Sequence, residues 1–360
     1  MKVLRLIGIS AALLLAAQAG HAAGVAIGVV VPQQGPYAAI GAQISAGAGL
    51  AADQSKNAII TVNEPCEDGS GQAVADALVN AKVQIAIGFV CTETLEGALP
   101  RLKDAGIPAI TVSVRSRILM EDAVKNGWPL FRLAPPDGAE AQKIIDVIIK
   151  DWAGEPIALV EDGTIHGREL TEAVRDALED KGLKPVFTDT YRPGQEQQIA
   201  LVRRLKRAGA THVFIGGDRS DAAIIARDAA AEKIPLVVLG GDALRAADQP
   251  VPLAEGVLAV TLPDYSLLPA AQAVVTALRA AGIEPEGYVL PAYAAATIAD
   301  QAVQSAVAQG KPVAEKLIGT TFQTVLGPLS FNPAHELAEN PYQLLEWRAK
   351  TFRAPGSSTD

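Results

Sequence analysis

Hydrophobic period constrains this chain more than any other feature of its sequence. From residue 24 to residue 262, apolar runs of six to eight residues alternate with helix-period stretches almost without interruption. The runs at 24–31, 58–63, 83–90, 107–112, 130–135, 156–162, 184–191, 212–218, 234–241 and 256–262 read as strands. The stretches at 37–54, 70–81, 93–105, 139–151, 167–181, 195–208 and 219–231 read as helices. Strands apolar on both sides need cover on both faces, which a parallel sheet between helix layers provides. A Val-, Ile-, Ala- and Gly-rich composition with only 4% aromatic residues suits such close packing.

Ten strands are too many for one ordinary open sheet, so the expected fold class is α/β with two doubly wound parallel-sheet lobes. Leu133-Ala134-Pro135-Pro136 reads as a stiff crossing out of the first lobe, Thr261 to Pro263 as the return, and Gly327-Pro328 as a third passage. The alternation breaks after Leu268, where two Ala-rich helices follow one another around Gly282 to Gly287. Strand patterns then return at 322–331 and 342–350. The expected partition is 24–135 with 262–327, and 136–261 with 328–350, leaving a loose tail at 354–360. Three passages between two lobes make a three-stranded hinge, a device for closing on something.

Residues 1–22 read differently. Lys2 and Arg5 precede an apolar run from Leu6 to Ala17, and Gly20-His21-Ala22 gives small residues suited to signal peptidase. The run is too short to span a bilayer, so a cleaved export signal and a soluble protein working outside the cytoplasm are expected. Removing Lys2 and Arg5 takes the formal net charge from −9 to −11. An acidic chain without a Lys/Arg cluster makes a poor partner for nucleic acid or anionic membrane. In an oxidising compartment, Cys66 and Cys91, the only cysteines, are most simply a disulfide. Closing a loop of about 25 residues is worth roughly 3 kcal/mol. Neither a Cys-x-x-Cys redox pair nor a flanking His for a metal is present. Gly47-Ala-Gly49 loosely fits a dinucleotide fingerprint but lies inside the first helix rather than at a strand–helix turn. No cofactor is expected.

Several segments resemble the periplasmic leucine/isoleucine/valine-binding proteins, the type I solute-binding proteins of ABC importers. They are Gly28 to Gly41 (GVVVPQQGPYAAIG), Cys66, the Ile-Gly-Phe-Val-Cys-Thr of 87–92, Gly240-Gly241-Asp242, and the Gly-Pro-Leu-Ser-Phe of 327–331. The similarity runs from Gly24 to about Phe352. It implies a type I periplasmic binding protein fold, a small amino acid or related carboxylate held between the lobes, and a partner permease in the inner membrane. A monomer without catalytic chemistry is expected. An extracytoplasmic sensor of the same fold is the alternative. A cleft hydrolase would need Ser113, His166 and Asp242 to converge.

The resemblance carries a site onto Tyr37, Thr92, Ser113, Arg115, His166, Asp218 and Asp242. Thr92 opens a helix after a strand end, where free N–H groups and the helix dipole suit a carboxylate, or where it caps only its own helix. Asp242 stands where the family has a glutamate for the ligand's ammonium; capping the next helix is its other role. Tyr37 fits either a pocket wall or an open surface, and His166 either a ligand contact or a packed helix start. Arg115 replaces a small hydroxyl residue, and Asp218 and His166 replace aromatics. An Arg in a closed apolar cleft needs an anion, so Arg115 pairs with Asp218 or Asp242, meets a ligand anion, or turns to solvent with Ser113 or Ser116 bonding instead. Arg117 reads as a solvated loop charge, His212 as structural, and His335 as without a role.

Overall fold

A computed structural model describes residues 24–356; the expected signal segment 1–22 and the end of the expected tail, 357–360, lie outside them. The first sheet and its helices run β1 Ala26–Val31, α1 Ala38–Ser55, β2 Ala58–Asn63, α2 Gly71–Asn80, β3 Ile85–Gly88, α3 Thr92–Asp104, β4 Ala109–Thr111, α4 Arg117–Asn126 and β5 Leu130–Arg132. The second runs α5 Ala139–Asp151, β6 Ile157–Glu161, α6 Ile165–Asp180, β7 Phe187–Thr190, α7 Ile199–Arg207, β8 His212–Gly216, α8 Arg219–Ala231, β9 Val237–Gly240 and β10 Leu258–Thr261. After it come α9 Gln272–Ala280, α10 Val289–Gln309, α11 Val313–Leu317, the hairpin β11 Phe322–Thr324 and β12 Gly327–Leu329, then β13 Gln343–Arg348 and β14 Thr351–Arg353.

Each of the ten runs expected to form strands contains one, and the sheets they build are two. The first is ordered β2-β1-β3-β4-β5 and is parallel throughout. The second is ordered β14-β13-β10-β9-β8-β6-β7, parallel from β10 to β7 and antiparallel at β13 and β14. Both parallel cores repeat one winding, in which the strand order reverses at β1 and again at β6. Strand periodicity divides the sides: Ile27, Val29 and Val31 join the core under α1 and α10, whereas Val30 joins that under α2, α3 and α4. Gly47 is a packing device, because a Cβ there would sit 1.9 Å from the Val289 carbonyl oxygen at the start of α10.

Two expectations need correction. Arg117 is not in a loop; it is the first residue of α4, where it pairs with Glu121 one turn on at 2.7 Å. The helix shows only a short apolar stripe (Leu119, Met120, Ala123), capped by the Ser116 hydroxyl, which accepts from the Leu119 N–H, and closed by left-handed Gly127. Nor do Gly327 and Pro328 cross between lobes. They form β12, paired with β11, and Phe331 stays in the first core against Phe131. The passage comes later, between Leu337, packed on the first core, and Tyr342, buried in the second. Buried Arg132 forms a two-pronged ion pair with Glu336 beside it, and His335 stacks on Phe131 and hydrogen-bonds the Leu130 carbonyl. Those contacts give His335 the structural role its sequence did not suggest.

Candidate functional site

Residues just past the carboxyl ends of β4 and β5 in one lobe and of β9 and β10 in the other line one cavity at the hinge, the place where open α/β sheets hold ligands. On the first lobe, β3 ends in Gly88 at φ 104° and Phe89 at φ 57°, a conformation a bulky side chain seldom adopts. The turn is held from several sides. The Phe89 carbonyl accepts hydrogen bonds from Thr111 and Ser113 at 3.1 and 3.0 Å, and the Glu64 carboxylate accepts from the Val90 and Cys91 N–H groups at 2.8 and 3.0 Å. Cys66 is disulfide-bonded to Cys91. Their sulfurs lie near the Glu64 carboxylate, but sulfurs bonded to each other are not thiolate ligands, so this cluster holds no metal.

Burial dominates Glu64 and pushes its carboxyl up to about 7, against the two N–H donors that favour the charged form. Cys91, not Thr92, occupies the cap position of α3; Thr92 is the first helical residue and half-buried. The first-turn amides of Thr92, Glu93 and Thr94 have no intrahelical acceptor by the geometry of a helix start. The Ser113 hydroxyl proton is spent on Phe89, which leaves its oxygen only as an acceptor.

Arg115 follows β4, is exposed, and among the described residues forms no ion pair with Asp218 or Asp242. Its charge acts on Glu140 and on the Tyr342 phenol at the third passage, favouring the ionised form of both. Burial pushes the Tyr342 phenol up to about 12. Across the gap, Asp242 follows β9. Its N–H donates to Glu140 Oε1 at 2.7 Å, and its Oδ1 accepts from the Thr261 hydroxyl and from the Leu262 N–H at 3.1 Å. One carboxylate oxygen of Asp242 is therefore tied to the second passage. Glu140, in the first turn of α5, is held above the usual carboxylate range chiefly by burial, and its Oε2 lies 3.9 Å from His166 Nε2.

Arg115 and Asp242 line one cavity of about 470 Å³ set against the hinge, walled by Leu133, Leu262, Leu326 and Tyr288. That volume suits a small organic solute. The other five sequence-selected residues are not in its lining. Thr92 and Ser113 stand at the ends of β3 and β4; Tyr37 opens α1 and is exposed; His166 is exposed at the start of α6; Asp218 is exposed at the cap of α8 and makes no capping bond. Among the described residues no hydrogen bond joins Ser113, His166 and Asp242, so a hydrolytic triad is not assembled. His212 packs on the edge of Trp152, as a structural residue does.

Glu140 and Tyr342 were not legible in the sequence. A Glu in a helix's first turn is ordinary, and Tyr342 reaches the site only because the third passage delivers it there.

The chain matches the Periplasmic binding protein family over residues 24–351. Curated relatives include Leu/Ile/Val-binding protein homolog 3 of Brucella melitensis, 26% identical over 90% of this chain and 92% of that one. Another is the leucine-, isoleucine-, valine-, threonine- and alanine-binding protein of Pseudomonas aeruginosa, 27% identical over 91% of each chain. Among solved structures, a Desulfitobacterium hafniense ABC transporter substrate-binding protein in complex with Leu superposes with a TM-score of 0.62 at 20% identity, covering 92% and 99% of the two chains. A Rhodopseudomonas palustris solute-binding protein in complex with p-hydroxybenzoic acid gives 0.60 at 16%, covering 91% and 95%. At those identities the structures speak for the fold alone. Two like-wound lobes, strand ends lining one cavity at a three-passage hinge and a family match spanning nearly the whole described chain agree: this protein belongs to the periplasmic binding protein family, whose members bind solutes rather than transform them.

Proposed function

We propose that this chain is the solute-binding component of an ABC importer, working in the periplasm after removal of residues 1–22. It captures an amino acid or related small carboxylate between its lobes and delivers it, as a monomer, to a membrane permease. The observation that carries this reading is the hinge cavity, where a cation from one lobe, Arg115, and an anion from the other, Asp242, share a wall. A zwitterion is complementary to that pair. The first-turn amides of α3 add a second anchor for a carboxylate. Closure then follows if Glu140, His166 and Asp242 bond the solute only when the lobes approach, because contacts equal in both states shift nothing. No helix among the described residues is long and apolar enough to cross a membrane, in keeping with a protein that meets its permease from outside.

The test is a thermal-shift screen against leucine, valine, glutamate, arginine and benzoate, followed by calorimetry and solution scattering on any hit. A ligand at 100 times its Kd stabilises the protein by about 2.7 kcal/mol. Binding accompanied by a smaller radius of gyration is the expected result. Failure of all five compounds, or a hit that leaves the scattering profile unchanged, defeats the proposal.

A further inference from the structure

A second group of polar side chains, outside the hinge cavity, lies beyond the carboxyl ends of β6, β7 and β8. Tyr191 follows β7, is 3% exposed, and its hydroxyl has no hydrogen-bond partner. The charged groups acting on that hydroxyl are Asp221, Asp162, Asp218 and Glu161, all acids. Gly217 leaves room for it, since a Cβ there would lie 2.1 Å from the Tyr191 oxygen and 3.1 Å from the Asp162 Cβ.

Asp162 and Asp221 are buried, at 4% and 2% exposure, while Asp218 is exposed and open to solvent. Local donors satisfy them only in part. Asp162 Oδ1 takes the Thr164 N–H and hydroxyl at 2.9 and 2.6 Å, and Asp221 takes the Gly194 N–H at 3.0 and 3.3 Å. Glu161 accepts from the Gly163 N–H and the Thr190 hydroxyl. Among the described residues, no Lys, Arg or His forms an ion pair with Asp162, Asp218 or Asp221. Buried carboxylates without a cation are costly, and a phenol oxygen can accept from N–H donors as readily as it donates.

We infer that this acidic cluster, entered at exposed Asp218, is a subsite for an ammonium or guanidinium group at the far end of the solute. The inference rests on reading the cleft as an amino-acid site. Strands lie about 4.8 Å apart, so the ends of β8 and β6 stand roughly 5–10 Å from Asp242 at the end of β9. A basic amino acid with its head group at Arg115 and Asp242 places its distal cation there. The preferred solute class is therefore a diamino or guanidino acid rather than an apolar one.

Isothermal titration of the mature chain with L-arginine, L-lysine, L-leucine, L-glutamate and calcium chloride tests this, on the wild type and on Asp218→Asn and Tyr191→Phe. Both substitutions keep size and shape, and removal of an unpartnered buried hydroxyl leaves the fold no less stable. Arginine or lysine is expected to bind at least about tenfold more tightly than leucine and glutamate, the advantage of a charge-assisted contact. In both variants that advantage falls to within about threefold. A preference for leucine or glutamate, an undiminished advantage in the variants, or heat from calcium alone overturns the subsite and leaves the amino-acid cleft standing. Silence from all four amino acids overturns the cleft reading as well.

Discussion

Replacing Glu64 by Gln separates burial from hydrogen bonding at the turn that presents α3. The carboxyl is 2% exposed, and its folded pKa is about 7 against an ordinary 4.5. A carboxyl raised in this way favours its neutral form in the fold. Its contribution to stability is therefore full below pH 4.5, declines as pH rises toward 7, and is constant above that. The difference amounts to about 3 kcal/mol between the two limits. The Gln side chain mimics the neutral acid but offers one acceptor, so either the Val90 or the Cys91 N–H loses its partner at a cost of about 1–2 kcal/mol. The variant should be less stable than wild type at pH 4.5 and equal or more stable at pH 8. Urea unfolding followed through Trp128, which packs on the same core as Phe89, reads the first lobe directly. Taking the difference between variant and parent at each pH cancels every other titrating group. A difference that stays constant within about 0.5 kcal/mol from pH 4.5 to 8 would refute the claim that burial outweighs the two amide donors.

Four further outcomes follow from the same structure. Changing Cys66 and Cys91 together to Ser should cost about 3 kcal/mol in denaturant unfolding, from the freed 25-residue loop; reducing agent should destabilise the parent and not the variant. Arg132→Met strands Glu336 beside the third passage and should cost about 3–5 kcal/mol, with Arg132→Met/Glu336→Leu recovering most of it by urea unfolding. Gly47→Ala gains helix propensity of about 1 kcal/mol yet should still destabilise, because its Cβ meets the α10 backbone; a raised melting temperature would contradict the packing of α1 on α10. Arg115→Ala and Asp242→Asn should each weaken any cleft ligand about tenfold or more by calorimetry, and a ligand bound unchanged by both lies elsewhere.

Period alone located the strands because a run buried on both faces admits no other economical shelter. Nine of the helices, the parallel pairing and the disulfide followed from the same local chemistry. The helix α4 did not, since its stripe of Leu119, Met120 and Ala123 is too short to stand out from a loop. The third passage was misplaced because Gly-Pro marks a turn without saying whether the chain turns back or crosses over. Only Phe331 docking on Phe131 and Glu336 reaching Arg132 decide that, and both join residues some two hundred positions apart.

The site divides along the same line. That Thr92 and Asp242 stand just past strand ends could be read from the chain, because helix starts and strand ends are local events. That the Arg115 charge acts on Glu140 and Tyr342, that Glu140 binds the Asp242 amide, and that the charges acting on Tyr191 are all acids could not. Those neighbours come from different strands and passages, and charge in a partly buried space is set by what surrounds it rather than by what precedes it in sequence.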